Sequence, residues 1–137
     1  MLVSLILVLL LSCELYYSSS IINISNKAIV CKIVYNKKVL EQHWNNISYL
    51  PFIKSEIDQA GGKVMFFDSI NLIATIKLRP KDSLLIEGGI RRRPNFELIR
   101  ELIIYSSDTL VINDKNSFRK NFSVRRNNGN SSDLIIN

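Results

Sequence analysis

The sequence predicts an α+β fold in which a long N-terminal helix, apolar at its start and amphipathic further on, packs on a small antiparallel β-sheet. Three observations predict it. Residues 1–12 carry no charged side chain and consist almost wholly of Leu, Val and Ile. Between residues 28 and 49 apolar side chains recur at spacings of three, four or seven, as on one face of a helix. After Gly62 the pattern changes to short runs rich in β-branched and aromatic residues, separated by turn formers.

Residues 1–26 read as an apolar membrane segment. A run of twelve residues suits the h-region of an export signal, whereas about twenty are needed for a helix to cross a bilayer. Leu15, Tyr16, Tyr17, Ile21, Ile22 and Ile24 prolong the apolar character toward Lys27, the first basic residue, and only that extension reaches the longer figure.

Residues 27–62 read as the amphipathic helical segment. Ile29, Ile33, Leu40, Trp44 and Ile47 form its apolar stripe, and Lys37 stands four residues before Glu41. Pro51 lacks an N–H and disfavours helical geometry at Leu50, so a kink or restart is expected there, with Ser48 as a candidate cap. The helix then resumes through Ile53 and Ile57 to Ala60, and Gly61-Gly62 ends it. Ile53, Ile57 and Ala60 share a face and are the expected contacts of helix with sheet.

Residues 63–125 read as the antiparallel β-sheet domain, with strands over 64–67, 71–78, 84–87, 98–105 and 109–112. Asp68-Ser69, Pro80-Lys81-Asp82, Gly88-Gly89, Pro94-Asn95 and Ser106-Ser107-Asp108 separate them as turns, which gives a meander. The run 96–104 also fits a helix, because Phe96, Ile99 and Ile103 fall on one face. Residues 126–137 are left as a polar tail. In this organisation a chain starting near Ser25 holds its own core and folds by itself.

Eighteen basic residues against twelve acidic ones leave a net charge of +6, which admits an anionic partner such as DNA without demanding one. Arg91-Arg92-Arg93, Arg119-Lys120 and Arg125-Arg126 suit phosphates of DNA or lipid headgroups. No aromatic platform interleaves with the triple arginine, so a solvated turn is its expected state. Cys13 and Cys31 would lie roughly 27 Å apart on one helix, out of disulfide reach. Asn23, Asn46, Asn121 and Asn130 each begin a glycosylation sequon.

Catalytic chemistry finds little material. His43 is the only histidine and has no nucleophile motif beside it, so a helix-surface position is expected. Neither glycine pair sits in a dinucleotide-binding or P-loop context. The expectation is a non-enzymatic protein with no catalytic residue, no cofactor and no metal site.

Leu2-Val3-Ser4-Leu5-Ile6 resembles the start of a mature type IV pilin or pseudopilin. Ile57-Asp58-Gln59-Ala60-Gly61 is similar to the Ile-Arg-x-Ala-Gly stretch that closes the long helix in minor pilins of the PilW-like group, and the run 109–114 resembles a late strand and polar turn of such heads. The resemblance implies a pilin-like fold and a minor pilin or pseudopilin subunit, anchored in the inner membrane and built into a type IV pilus or a related secretion or competence filament. It implies other pilin subunits and inner-membrane lipid as partners, with Leu2, Val3, Ser4, Leu5 and Ile6 in the filament and membrane helix. It also implies a single-pass membrane placement, the C-terminal domain lying in the periplasm or at the cell surface. The chain departs from the family in having Ser4 as the only polar residue of its first turns, where most members carry a glutamate, and in showing no basic leader ending in Gly. Two alternatives stand beside it. Leu10-Leu11-Ser12-Cys13 fits a lipobox, which would make the chain an exported lipoprotein anchored at Cys13; a secreted or single-span cell-surface protein is the other.

Overall fold

A period of two governs the start of the folded chain. In β1, Tyr16–Asn23, the buried residues are Ser19, Ile21 and Asn23. In β2, Ile29–Tyr35, they are Ile29, Cys31, Ile33 and Tyr35, with Val34 added because β2 lies inside a sheet. Side chains alternate between the two faces of a strand, so this spacing is a strand signature. The computed structural model describes residues 15–44, 48–126 and 130–137.

The expected long N-terminal helix packed on a small sheet is therefore corrected. The described residues form a mostly β fold with three short helices. Ile29 and Ile33 fit a helical period and a strand period alike, and the burial of Cys31 and Tyr35 decides for the strand. Tyr16, Tyr17, Ile21 and Ile22 favour strands, and Ser18-Ser19-Ser20 interrupts any apolar helical stripe.

The membrane placement is corrected with it. A single-pass helix required the apolar extension as far as Ile24, and that extension is strand β1. Among the described residues no helix is long and apolar enough to cross a membrane. The transmembrane-helix and pilin-like descriptions fall for the same reason. Leu2, Val3, Ser4, Leu5, Ile6 and Cys13 lie outside the described residues.

Asn36 converts strand into helix. Its Oδ1 accepts the Val39 N–H at 3.4 Å and its carbonyl accepts the Leu40 N–H at 3.0 Å. Helix α1, Lys37–Trp44, buries only Leu40. Helix α2, Leu50–Gln59, holds Pro51 in its first turn, where a missing N–H costs no helical hydrogen bond. Pro51 thus begins a helix, and no side chain caps it, Ser48 included. Ile53 and Ile57 are buried one turn apart, and Ala60 packs half-buried against the same core. Gly61 follows with φ +96°, and a Cβ there would meet the Ser83 carbonyl oxygen at 2.6 Å. Glycine serves both needs at this helix end.

The later strands are β3 (Lys63–Asp68), β4 (Ile73–Leu78), β5 (Ser83–Ile90), β6 (Ile99–Tyr105), β7 (Thr109–Ile112), β8 (Val124–Arg126) and β9 (Ser131–Ile136), with helix α3 (Lys115–Asn121) before β8. They do not form a simple meander. One sheet runs β3-β4-β2-β6-β7 and the other β5-β1-β9-β8. The hairpins β3–β4 and β6–β7 hold, but β2 lies between β4 and β6, and β5 leaves to pair with β1. Gly88 and Gly89 sit within β5 opposite Ser18 and Tyr17. The segment read as a polar tail supplies β9, parallel to β1, with Asp133 and Leu134 buried.

One hydrophobic cluster joins both sheets and the helices. It includes Ile21, Leu84 and Leu134 from the four-stranded sheet, Cys31, Ile76 and Leu102 from the five-stranded sheet, and Leu40, Ile53 and Ile57 from α1 and α2. Burial pushes the Cys31 thiol pKa up to about 12, so it packs as an apolar group and is not a reactive thiol.

Asn23 is fully buried at the end of β1, where a polar side chain must be satisfied. Its Nδ2 donates to the carbonyls of Lys27 (2.8 Å), Arg79 (3.1 Å) and Leu78 (3.4 Å), and its Oδ1 accepts from Ser25 Oγ at 2.6 Å. Its backbone N–H donates to Asp82 and its carbonyl accepts from Lys81. The side chain is committed to the fold, so Asn23 is not a glycan acceptor. Asn23→Ala removes the buried hydrogen bond to the Leu78 carbonyl and should cost about 1–3 kcal/mol, read as a lowered urea midpoint with an unchanged slope.

Candidate functional site

A cleft of about 260 Å³ opens where α1 and α2 face β5 and the start of β6. Leu85 and Ile86 of β5 and Ile99 of β6 form one side of its apolar lining. Strand β2 contributes Ile33 and Tyr35, α2 contributes Phe52 and Ile53, and Trp44 closes α1. The Trp44 and Phe52 rings are tilted with centroids 4.7 Å apart. Such an apolar pocket with a few convergent polar groups is the usual form of a small-ligand site.

Of the polar groups, Glu87 stands on β5, Glu56 on α2 and His43 on α1, while Arg92 and Glu97 come from the segment between β5 and β6. Arg91 and Phe96, with φ of 59° and 60°, hold that segment in the left-handed region, which side chains other than glycine adopt only under constraint. Glu87 supplies part of the constraint. One of its oxygens accepts the Phe96 N–H at 2.7 Å and the other the Asn95 N–H at 3.3 Å. The Phe96 ring packs in a three-ring cluster with Phe118 and Phe122, at 4.9 and 5.0 Å. Helix α3, which carries Phe118 and ends at its C-cap Phe122, is capped at its start by Asp114, whose carboxylate accepts the N–H groups of Asn116 and Ser117.

The loop thereby delivers Arg92 and Glu97 to the cleft, and their side chains are hydrogen-bonded as an ion pair. Glu97 also lies 3.7 Å from His43 Nε2. His43 Nδ1 lies 3.0 Å from the Val39 carbonyl, which can only accept, so that nitrogen carries a proton. The Arg92 hydrogen bond holds the Glu97 carboxyl below its ordinary range. Glu87 behaves in the opposite way. Desolvation by burial raises its pKa, against the pull of the Phe96 and Asn95 N–H groups and Arg92. Burial, with the nearby Glu56 carboxylate second, keeps the Tyr35 phenol protonated well above its usual range.

Of the residues singled out from sequence, Ile53 and Ala60 border the cleft and Ile57 lies in the core behind it. His43 is half-exposed at the rim rather than simply on an outer helix face. The triple arginine is divided: Arg92 pairs with Glu97, the Arg93 guanidinium lies 5.8 Å from the Tyr17 ring centre, and the Arg91 N–H donates to the Leu15 carbonyl. Arg119 and Lys120 are exposed on α3, and the side chains of Arg125 and Arg126 are not among those described. Sequence reasoning missed Tyr35, Phe52, Glu56, Glu87 and Glu97. The one available signal was the acidic residues on both sides of Pro94-Asn95. Among the described residues no group of ligating side chains is placed to hold a metal ion. No protein-family model, curated protein or solved structure matches the chain.

Proposed function

We propose that this domain is a non-enzymatic binding module whose cleft takes a small amphipathic ligand with a cationic head. The carrying observation is the composition of the cleft. An aromatic and aliphatic lining suits an apolar body, while Glu56, Glu87 and Glu97 outnumber Arg92 as charged groups around it. Trp44 and Phe52 add ring faces that attract a cation. The enzymatic alternative lacks a nucleophile paired with a base in the cleft. Nothing in the two-sheet architecture supports the filament-subunit role that the resemblance implies.

Trp44 is the single tryptophan, so its fluorescence reports on the cleft directly. Titration with benzyltrimethylammonium should shift that emission, and hexanoate should not. Glu87→Gln should weaken the response by about tenfold. Because the Glu87 pKa is raised, its carboxylate forms later than usual as pH rises. Binding of this permanently charged probe should therefore strengthen as pH rises above the ordinary carboxylate range. An emission indifferent to the cation, or equally responsive to hexanoate, would sink the reading.

A second reading concerns delivery, and one observation favours it. Strand β1 begins at Tyr16, three residues after Cys13, and pairs on both sides. Cleavage before Cys13 would remove the apolar run and leave every strand of both sheets intact. We propose on that basis that Leu10-Leu11-Ser12-Cys13 acts as a lipobox. Mass spectrometry of membrane-extracted protein should find a chain starting at lipid-modified Cys13, and peptides spanning residues 5–11 in the mature protein would exclude it.

A further inference from the structure

At the opposite end of β3 from its hairpin, an open cavity of about 700 Å³ is lined by Lys63, Lys77, Arg79, Lys81 and Asp82 among others. The four basic side chains are exposed. Asp82 is the acidic residue of this lining, and it is already engaged: its Oδ2 accepts the Arg79 N–H at 3.1 Å and Arg79 Nε at 3.2 Å. Among the described residues, Lys63, Lys77 and Lys81 make no ion pair.

The ladder register makes the charge costly. Lys63 stands directly opposite Lys77 in the β3–β4 pairing. Like charges facing each other across an antiparallel pair are destabilising. The adjoining turn is held in place rather than loose. Buried Asn23 binds the carbonyls of Leu78 and Arg79, and its own carbonyl accepts the Lys81 N–H at 2.7 Å. Lys81 is kept at φ 69°, a strained conformation for a residue with a side chain. Four cations are therefore gathered around one concavity by a buried polar anchor.

We propose that this cavity is an oxyanion site that binds a phosphate group, with Lys63 and Lys77 closing on the anion from adjacent strands and Arg79 and Lys81 from the turn. The bound anion would turn an uncompensated repulsion into charge-assisted hydrogen bonds. The phosphate is either that of a soluble phosphate ester or that of an anionic lipid headgroup. Val64, Met65 and Phe66, exposed on β3 immediately after Lys63, would lie beside the acyl region in the second case.

The test uses the full chain and two variants, Lys77→Gln and Lys63→Gln. In chloride, each variant should melt at or above the wild-type temperature, because a repulsion has been removed. Inorganic phosphate at matched ionic strength should raise the wild-type melting temperature, and calorimetry should show binding weakened by about tenfold or more in either variant. That outcome assigns a soluble phosphate. Preferential sedimentation of wild type over Lys77→Gln with phosphatidylglycerol vesicles, and with phosphatidylcholine vesicles no difference, assigns the lipid phosphate; the N-terminal apolar run is common to both chains and cancels. Equal stabilisation of all three chains by phosphate, as expected from general exclusion of a kosmotrope, with no vesicle difference, would overturn the proposal. So would the absence of any response in both arms.

Discussion

A chain shortened to begin at Ser25 is expected to lose cooperative folding altogether. The cut removes β1, the strand that joins β5 on one side to β9 on the other. It takes away seven register positions against β5, together with the parallel contacts to β9. Fully buried Ile21 leaves the core, and Asn23 takes with it the buried hydrogen bond to the Leu78 carbonyl. Without β1 the four-stranded sheet falls into a lone strand and a short hairpin, neither of which is stable by itself in water. Near-ultraviolet circular dichroism should show no fixed aromatic environment, and urea should produce no sigmoidal transition. A chain beginning at Leu15 keeps every described strand and should unfold cooperatively. A sharp urea transition in the Ser25 chain would mean that β1 is dispensable and that the two-sheet arrangement is wrong.

Ile57→Asp is the point substitution with the largest expected effect. Ile57 is 4% exposed on α2 and belongs to the shared core. The change removes about 2–3 kcal/mol of apolar burial. It also places a carboxylate where nothing apolar can solvate it, a further penalty of a few kcal/mol even if the group takes up a proton. The total, about 4–6 kcal/mol, is a large share of the stability of a domain this size. Thermal melts should show the domain unfolded or nearly so at room temperature. Lys54→Ala, on the exposed side of the same helix, should change stability by less than about 0.5 kcal/mol. Equal melts for the two variants would show that α2 does not pack into the core.

The contrast between these positions marks where the chain was legible. Strands β3, β4, β6 and β7 coincide closely with runs read from β-branched and aromatic residues between turn formers, because each is short and bounded by Gly, Pro or Asp within a few residues, whereas β5 runs on to Ile90 through Gly88-Gly89, which reads as a turn. Helix α2 was legible through Pro51 and Gly61, which act locally: one starts a helix without an N–H, the other takes a φ that residues with a Cβ avoid. Strands β1 and β2 were misread. Their residues continue an apolar run and include Ile29 and Ile33, spaced to suit either a strand or a helix, so a local pattern offered no decision. The decision comes from neighbours distant in sequence, since β2 is hydrogen-bonded between β4 and β6.

The candidate sites divide in the same way. Pro94-Asn95 and Pro80-Lys81 announce turns, and turns between strands are where ligand-binding groups are often carried. Their direction is not written in the turns themselves. Glu87 meets Phe96 across nine residues, and Glu97 meets His43 across more than fifty, only because β5 and β6 belong to different sheets with α1 and α2 laid against them.

By itself the sequence determined the short-range features: five strands, one proline-started helix ended by glycine, an apolar N-terminal run, an excess of basic charge and the scarcity of catalytic residue types. Each depends on φ preference, side-chain shape or composition over a few residues. The tertiary structure alone decided which strands pair, that residues 131–136 complete a sheet begun at Tyr16, and which charges share a cleft or stand opposed across a ladder. Those outcomes depend on burying one common core and satisfying the backbone groups around it, a condition on the whole chain that no local window contains.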